Sequence, residues 1–226
     1  MYLKKIIDIK FTDPTYNMEL IDLDIKDFPV DFNWHNDQFP PLDALTYWHF
    51  LVKAKRVIEV GCGYSTQLAW QSGIQVTAID PQPRVFSVDI PYILKPVQEV
   101  EIEIFEELQE NDILFIDSSH IYESNSDVEF LIHKVIPKLK KGVLIHFHDY
   151  FGMYGYPKEW QKNSEMKLWN ENEIIIGIIH DFELLAFNYH LSENYNDQLK
   201  NKYDFVPNNI ISNLGAVKGA SLWIKK

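Results

Sequence analysis

Two short stretches of the sequence combine histidine with aspartate at the end of an apolar run. Asp117 and His120 follow the first run, and His148 and Asp149 follow the second. A histidine can accept a proton from a hydroxyl during a reaction, and carboxylates together with an imidazole can bind a divalent cation. The two stretches therefore predict acid–base chemistry or a metal-assisted reaction.

A glycine turn earlier in the chain has the spacing of a ligand-binding loop. Residues 56–65 read Arg-Val-Ile-Glu-Val-Gly-Cys-Gly-Tyr-Ser, an apolar run that breaks at Gly61 and Gly63. Ser65 or Thr66 then offers a hydroxyl to cap a helix, so the pattern is typical of strand, tight turn and helix. Glycine lets a backbone approach a ligand closely, and the free N–H groups at a helix start carry positive potential. We therefore expect a ligand at this turn.

Asp80 ends the next apolar run, 19 positions after Gly61. In a strand–helix–strand unit of the Rossmann type, an acid at the tip of the second strand accepts hydrogen bonds from a ribose. The structural alternative is an aspartate that only stabilises a turn. The spacing favours a ligand that contains a nucleoside.

Four apolar runs alternate with helical segments and must position these side chains. They are residues 57–60, 76–79, 113–116 and 143–147. The alternation predicts a parallel sheet with right-handed crossovers, and ligands of such sheets lie beyond the carboxyl ends of the strands. Glu59, Asp80, Asp117 and the pair 148–149 are therefore expected at one edge of the sheet.

The whole pattern predicts a single domain, with an irregular extension over residues 1–41 and an α/β core over 42–226. Asp43 is expected to cap the first helix of the core. The aromatic connection between residues 150 and 170 is expected to be a functional loop. The other predicted elements are a weak strand at 93–97, helices at 103–108, 127–139 and 171–180, and strands at 182–187 and 220–224.

The composition of the 226-residue chain restricts its partners. A formal net charge of −12 and the lack of a basic stripe argue against a nucleic-acid ligand. The single cysteine, Cys62, excludes a disulfide within the chain and suits a reducing compartment. The N-terminal sequence lacks the pattern of a signal peptide, and no run approaches the ~20 apolar residues of a membrane helix. We expect a soluble, cytoplasmic protein without a membrane partner, and a homo-oligomer stays open.

Taken together, the motifs resemble the class I S-adenosylmethionine-dependent methyltransferases, and within them a bacterial group of small-molecule or sugar-associated enzymes. The resemblance covers roughly residues 42–226. The stretches that carry it are Glu59–Ser65, Asp80, Ile113–His120, Leu139–Val143, His146–Phe151, Tyr156–Trp160, Trp169–Glu171 and Ser221–Ile224.

The resemblance implies a Rossmann-like, doubly wound sheet of seven strands. The sheet would be mostly parallel, with an antiparallel last strand at 220–224 that inserts beside 182–187. The implied cofactor is S-adenosyl-L-methionine. The residues that the resemblance assigns to it are Gly61, Gly63 and Ser65 at the turn, Glu59 at the ammonium group, Asp80 at the ribose hydroxyls, Gln98 at the adenine edge, and Asp117.

The implied reaction is methyl transfer to a small-molecule acceptor, with a hydroxyl of a sugar or polyol favoured. Such a hydroxyl is too weakly acidic to ionise near neutral pH, so either a histidine base or a divalent cation must assist. We expect His120 or His148 to be the base, with Asp117 and Asp149 orienting it or holding a cation. In related sugar O-methyltransferases, an aspartate after the fourth strand and an acidic pair after the fifth hold Mg²⁺.

The corresponding metal set here is Asp117, His148 and Asp149, which departs from that acidic pair. An imidazole suits zinc, iron or copper better than magnesium, so Mg²⁺ and another divalent cation both stay open. Neighbouring residues of a strand point to opposite faces, so His148 and Asp149 can share one ion only if the strand ends before them. Otherwise the two form a structural pair.

The aromatic connection supplies candidate contacts for the acceptor. Tyr154, Tyr156 and Trp160 are predicted to stack on its ring, because aromatic faces suit the C–H faces of sugars. The alternative is an ordinary packed flap.

Two other functions stay open. A nucleotide-dependent oxidoreductase is disfavoured because Thr66 stands where the dinucleotide fingerprint has its third glycine. A noncatalytic cofactor-binding module would keep the fold without the reaction. At single positions the alternatives are a helix cap at Asp117, a surface histidine at His120 and a packing residue at Cys62.

Overall fold

A computed structural model of the chain describes residues 23, 26–29, 31–36, 38–83, 88–188 and 219–226. Most of the predicted extension, residues 1–22, lies outside the described residues. Those described before residue 41 form turns and irregular segments.

Seven strands and five α-helices make up the described core. The helices are α1 Pro41–Leu51, α2 Tyr64–Gln71, α3 Glu103–Glu106, α4 Asp127–Phe130 and α5 Glu171–Ile178. The strands are β1 Arg56–Val60, β2 Gln75–Ile79, β3 Tyr92–Ile93, β4 Ile113–Ile116, β5 Leu144–Phe147, β6 Glu183–Phe187 and β7 Leu222–Lys225.

The strands form one sheet in the order β3-β2-β1-β4-β5-β7-β6. The five strands from β3 to β5 are parallel, whereas β7 is antiparallel to both of its neighbours, β5 and β6. The predicted seven-stranded, mostly parallel sheet with an antiparallel last strand is therefore confirmed.

Both faces of the sheet are covered, because successive residues of a strand point to opposite sides. Val57 of β1 and Phe115 of β4 pack in one apolar cluster together with residues of α1 and α2. Their neighbours Ile58 and Leu114 pack in a second cluster with residues of α4 and α5. The central strands are apolar throughout for this reason.

Two predicted elements are shorter in the structure than expected. The third strand covers only Tyr92–Ile93 and not 93–97, because its partner β2 ends at Ile79, opposite Ile93. After Pro96 the chain forms a 3₁₀ turn over Val97–Glu99. The helix predicted at 127–139 is α-helical only to Phe130. It continues as a π-turn over Leu131–Val135 and a 3₁₀ turn at Ile136–Lys138, because Pro137 cannot donate the next helical hydrogen bond.

Asp43 does not cap the first helix as predicted. Helix α1 begins at Pro41, and Asp43 lies fully buried in its first turn. Its carboxylate accepts hydrogen bonds from the side-chain amide of Asn188 and from the backbone N–H of Ala220, at 3.0 Å for the latter. The backbone N–H of Asn188 also donates to the carbonyl of Ser221 at 2.9 Å. Asp43 thus ties α1 to the end of β6 and the approach to β7.

Within the part of the chain that the structure describes, the helices are too short or too polar to cross a membrane.

Candidate active site

A cleft of about 1010 Å³ opens at the carboxyl ends of β1, β2, β4 and β5. The predicted site residues that line it are Gly61, Gly63, Ser65, Asp80, Gln98, Asp117, His120, His148, Asp149 and Trp160. Glu59, Tyr154 and Tyr156 do not line it. The edge of the sheet expected from the apolar runs therefore holds nearly all of the predicted side chains.

The two glycines of the turn have different physical roles. Gly61 has φ +87°, and a Cβ there would lie 1.8 Å from the carbonyl oxygen of Asp117. Gly63 precedes α2 with an extended φ of −171°, and a Cβ there would meet no atom within 4 Å. The fold itself requires glycine at 61, whereas at 63 the missing side chain only keeps the cleft wall open.

The start of α2 also differs from the prediction of a hydroxyl cap at Ser65 or Thr66. Gly63 is the N-cap residue, and the Thr66 hydroxyl reaches back to accept a hydrogen bond from the Gly63 N–H at 2.9 Å. The hydroxyl of Ser65 instead donates to the carboxylate of Glu59.

Asp80 anchors the glycine turn and faces the cleft at the same time. Its carboxylate accepts a hydrogen bond from the Cys62 N–H at 3.0 Å and from the Gln82 N–H at 2.7 Å. The turn role and the predicted ligand role of Asp80 are therefore compatible. Burial, followed by the charges of Glu59 and Asp80, raises the pKa of the Cys62 thiol, which fits a packing residue.

Glu59 lies fully buried behind the wall of the cleft. One carboxylate oxygen accepts from Ser65, and the other has no hydrogen-bond partner among the described residues. Burial raises the pKa of Glu59 to about 8, although hydrogen bonds from Ser65 and Thr66 oppose the shift. The predicted contact with a cofactor ammonium group stays a prediction, since Ser65 and not Glu59 reaches the cleft.

In the wild-type protein, Glu59 should make the free energy of unfolding fall as the pH rises. Glu59→Gln should remove this fall. A raised pKa means that the fold favours the protonated carboxyl. This stabilisation is complete below the ordinary pKa of 4.5 and is lost as the pH rises through about 8. The loss amounts to at most about 1.4 kcal/mol for each pH unit.

Melting temperatures of wild type and Glu59→Gln, measured from about pH 5 to about pH 9, should therefore converge or cross in favour of the variant at the alkaline end. Other buried groups titrate in both proteins, so their contribution cancels in the difference. Two parallel curves would contradict a raised pKa at Glu59.

His120 is buried and contacts three carboxylates. Its Nδ1 lies 2.8 Å from Oε2 of Glu171, and its Nε2 lies 3.4 Å from Oδ1 of Asp117 and 3.6 Å from Oδ2 of Asp149. Burial alone would lower the pKa of His120, but hydrogen bonds with Asp117 and Glu171 and the charges of Glu171 and Asp149 raise it well above its ordinary value. The histidine is therefore not a surface residue, and Ser126, not Asp117, caps α4.

Asp117, His120 and Asp149 form a group that can hold a cation. One ligand atom from each lies within 4.8 Å of the others. Strand β5 ends at Phe147, so the condition for Asp149 to turn toward its neighbours is met, and Asp149 has φ +53°. Burial raises the pKa of Asp149 to about 6, against the opposing charges of His148 and His120.

His148 is not part of this group, although it was predicted as a metal ligand. Its Nε2 lies 3.2 Å from the backbone carbonyl of Gln38, and its ring packs against Phe39 with the centroids 5.5 Å apart. Burial lowers the pKa of His148, but the charges of Asp149 and Asp117 raise it above its ordinary value overall. The structure thus brings His120 to the place in the cluster that the sequence gave to His148.

The aromatic connection contributes different side chains from those expected. Trp160 lines the cleft as predicted, and Trp169 lines it as well, with its ring centroid 4.3 Å from that of His120. Tyr156 is buried against Phe151 and Trp169. Tyr154 is half exposed away from the cleft. Tyr154 and Tyr156 therefore have no direct access to a ligand in the cleft.

Sequence reasoning gave no role to Glu171 and treated Trp169 only as one aromatic of the connection, although both contact His120. The only sequence signal for Glu171 was the stretch Trp169–Glu171 within the family resemblance. Gln98 lines the cleft, and its contact with an adenine edge stays a prediction. Its side-chain N–H donates to the carbonyl of Asn125 at 3.1 Å, and its Oε1 has no hydrogen-bond partner in the described residues.

Residues 58–150 match the family model of a methyltransferase domain. They contain the glycine turn, Asp80, Asp117 and His120 within the sheet order described above. Over these residues the chain is therefore similar to methyltransferase domains, whose class I members share this sheet order. The methyl donor of this class is S-adenosylmethionine.

The chain also resembles individual proteins. An uncharacterized protein of Archaeoglobus fulgidus is 28% identical over 133 residues, which are 47% of this chain and 60% of that protein. MycE methyltransferase from the mycinamycin biosynthetic pathway, in complex with Mg, SAH and mycinamycin VI, is 16% identical with a TM-score of 0.38. That alignment covers 76% of this chain and 45% of MycE. The chain therefore spans less than two thirds of the length of each of these proteins.

Proposed function

We propose that the protein transfers a methyl group from S-adenosylmethionine to a hydroxyl of a small molecule of the sugar or polyol class. The observation that carries this proposal is the position of His120. Its imidazole stands between Asp117, Asp149 and Glu171 at the edge of the cleft that the glycine turn opens.

The described wall of the cleft suits a nucleoside without phosphates. The turn at Gly61 and Gly63 leaves backbone accessible, Asp80 offers a carboxylate for ribose hydroxyls, and Gln98 lines the same cleft. None of the described lining residues is a lysine or an arginine. A dinucleotide would gain from such cations at its pyrophosphate, so these residues favour S-adenosylmethionine over NAD.

The bound donor supplies an electrophilic methyl group attached to a sulfonium sulfur. When the methyl group is transferred, the sulfur leaves as a neutral thioether. The chain must then orient the acceptor hydroxyl and remove its proton. His120 is the proposed base through Nε2, the nitrogen that lies toward Asp117 and Asp149. Because the neighbouring carboxylates raise the pKa of His120, only its neutral fraction can accept the proton, and that fraction grows as the pH rises. Asp117 and Asp149 orient the acceptor or hold a divalent cation. Two carboxylates suit Mg²⁺, while inclusion of the imidazole shifts the preference toward zinc or iron.

The cleft has room and suitable surfaces for an acceptor ring. Its volume of about 1010 Å³ is at the upper end of the usual range for a single small ligand, about 300–1,000 Å³. A cofactor and a small acceptor can therefore be accommodated together. Trp160 and Trp169 line the cleft together with His120, and aromatic rings suit the C–H surface of a sugar.

The first test is calorimetric titration of the protein with S-adenosylhomocysteine, with and without Mg²⁺. We expect micromolar affinity, about 8 kcal/mol. Replacing Asp80 with alanine should weaken that affinity about 10- to 100-fold, because a hydrogen bond to a charged group is lost. Asp80→Asn keeps an acceptor for the Cys62 N–H and should weaken it less.

Thermal unfolding of the two Asp80 variants separates lost contact from a disordered turn. NADH serves as the competing ligand in the same titration. Binding of NADH in place of S-adenosylhomocysteine would overturn the proposal in favour of an oxidoreductase.

A further inference from the structure

Glu171 is buried next to His120, which is its ion-pair partner among the described residues. It is the first residue of α5 and is only 2% exposed. One carboxylate oxygen lies 2.8 Å from Nδ1 of His120, and the other has no hydrogen-bond partner among the described residues. A buried carboxylate is destabilising unless it is paired, so the contact with His120 is the interaction that stabilises the Glu171 side chain in the interior.

The backbone holds the same two residues together. The N–H groups of Asn170 and Glu171 both donate to the carbonyl of His120, at 3.0 and 3.2 Å. His120 itself has φ +59°, a conformation that a side-chain-bearing residue keeps only when its surroundings impose it. The start of α5 is therefore one of the features that hold His120 in place.

The two neighbours of Glu171 connect this helix start to the loops after β4 and β5. Asn170 accepts from the Tyr122 N–H at 2.6 Å and donates to the Tyr122 carbonyl at 3.1 Å. Asn172 accepts from the Phe151 N–H at 2.9 Å and donates to the Gly152 carbonyl at 2.6 Å. We call residues 170–172 the clasp. It fixes both loops that carry the catalytic cluster.

The contact at Nδ1 decides which ring nitrogen of His120 can act. A carboxylate accepts a hydrogen bond and so requires a proton on Nδ1. In the neutral imidazole the lone pair is then on Nε2, which is the nitrogen that faces Asp117 and Asp149. Without the carboxylate, the ring can adopt the other tautomer or rotate.

The geometry points to Glu171 as a positioning residue that holds His120 with its Nε2 toward the reacting groups. This inference rests on the proposed function, because it assigns the orientation of the proposed base. Glu171 lies outside residues 58–150, the segment that matches the family model. Through the hydrogen bonds of the clasp, the position of α5 determines the position of His120.

The variants for the test differ in one property each. Glu171→Gln keeps the size of the side chain, an acceptor oxygen and the backbone N–H, and removes the charge. Glu171→Leu removes the acceptor as well. Glu173→Gln is the matched control, because it removes the same charge from the same helical turn at an exposed position.

The first readout is nuclear magnetic resonance of the imidazole protons, which needs no acceptor. We expect a low-field, solvent-protected N–H proton on Nδ1 of His120, assigned by its loss in His120→Ala. It should move upfield in Glu171→Gln, disappear in Glu171→Leu and stay unchanged in Glu173→Gln. An unchanged signal in Glu171→Leu would overturn the inference.

The second readout is turnover with an acceptor found by screening. Glu171→Gln should lower kcat about 10- to 100-fold, the usual effect of losing a carboxylate behind a functional histidine. KM and the affinity for S-adenosylhomocysteine should change less than about twofold. A merely structural role would instead raise KM and lower the melting temperature together, and that result would overturn the inference.

The two proposals fail in different ways. If no binding of S-adenosylhomocysteine is seen while the Nδ1 proton responds to Glu171 as expected, the proposed function fails and the positioning contact stands. If methyl transfer proceeds at the wild-type rate in Glu171→Gln, the positioning role fails and the proposed function stands.

Discussion

Replacing His120 with alanine should lower kcat by about 10²- to 10⁴-fold, the range that a positioned acid–base group usually contributes. The substitution removes the only imidazole in the described cluster of Asp117, His120 and Asp149. The glycine turn and Asp80 lie on other strands, so the affinity for S-adenosylhomocysteine should stay within about threefold of wild type. Steady-state turnover and calorimetric titration of the same preparation measure the two effects.

His148 is the matched control for this experiment, because it was the other candidate base. It also lines the cleft, but its Nε2 contacts the Gln38 carbonyl. His148→Asn should therefore reduce kcat less than His120→Ala. Near-normal turnover of the His120 variant, together with loss of turnover in the His148 variant, would assign the base to His148.

Replacing Gly61 with alanine should destabilise the protein by about 3 kcal/mol or more. A methyl group there would stand 1.8 Å from the Asp117 carbonyl oxygen, and the φ of +87° disfavours any side chain. Neither strand can yield easily, because Gly61 N–H donates to the Ile79 carbonyl at 2.9 Å and the Asp117 N–H donates to the Val60 carbonyl at 2.9 Å. Urea unfolding measures the effect.

Gly73→Ala separates the steric clash from the backbone strain. Gly73 has a similar φ of +76°, but a Cβ there would meet no atom within 4 Å. Its replacement should cost only the strain of about 1–2 kcal/mol. Equal destabilisation by the two substitutions would show that contact with Asp117 is not the reason for glycine at position 61.

Local sequence patterns were sufficient to predict the sheet and the edge that carries the site. Short apolar runs that end in Asp80 and Asp117 specify strands buried on both faces, and their carboxyl ends meet because the strands are parallel. Gly61 and Gly63 marked the turn, because two glycines after an apolar run indicate a break between a strand and the next helix. These features depend on neighbours within a few residues.

The contacts of His120 could not be predicted in this way. Glu171 lies 51 positions further along the chain, and its approach depends on how the aromatic connection folds back over the sheet. The same folding turns Tyr156 inward and places Trp169 against His120. The left-handed backbone at His120 and Asp149 also redirects both side chains. That redirection explains why His120 joins Asp149, while His148 packs against Phe39.

The contacts of Asp43 have a consequence for the antiparallel edge of the sheet. Asn188 directly follows β6, and Ala220 lies two residues before β7. Asp43 accepts a hydrogen bond from each of them, one at each of its carboxylate oxygens. One side chain of the first helix therefore links both strands of this edge, so a sequence change at position 43 alters the attachment of the two strands at once.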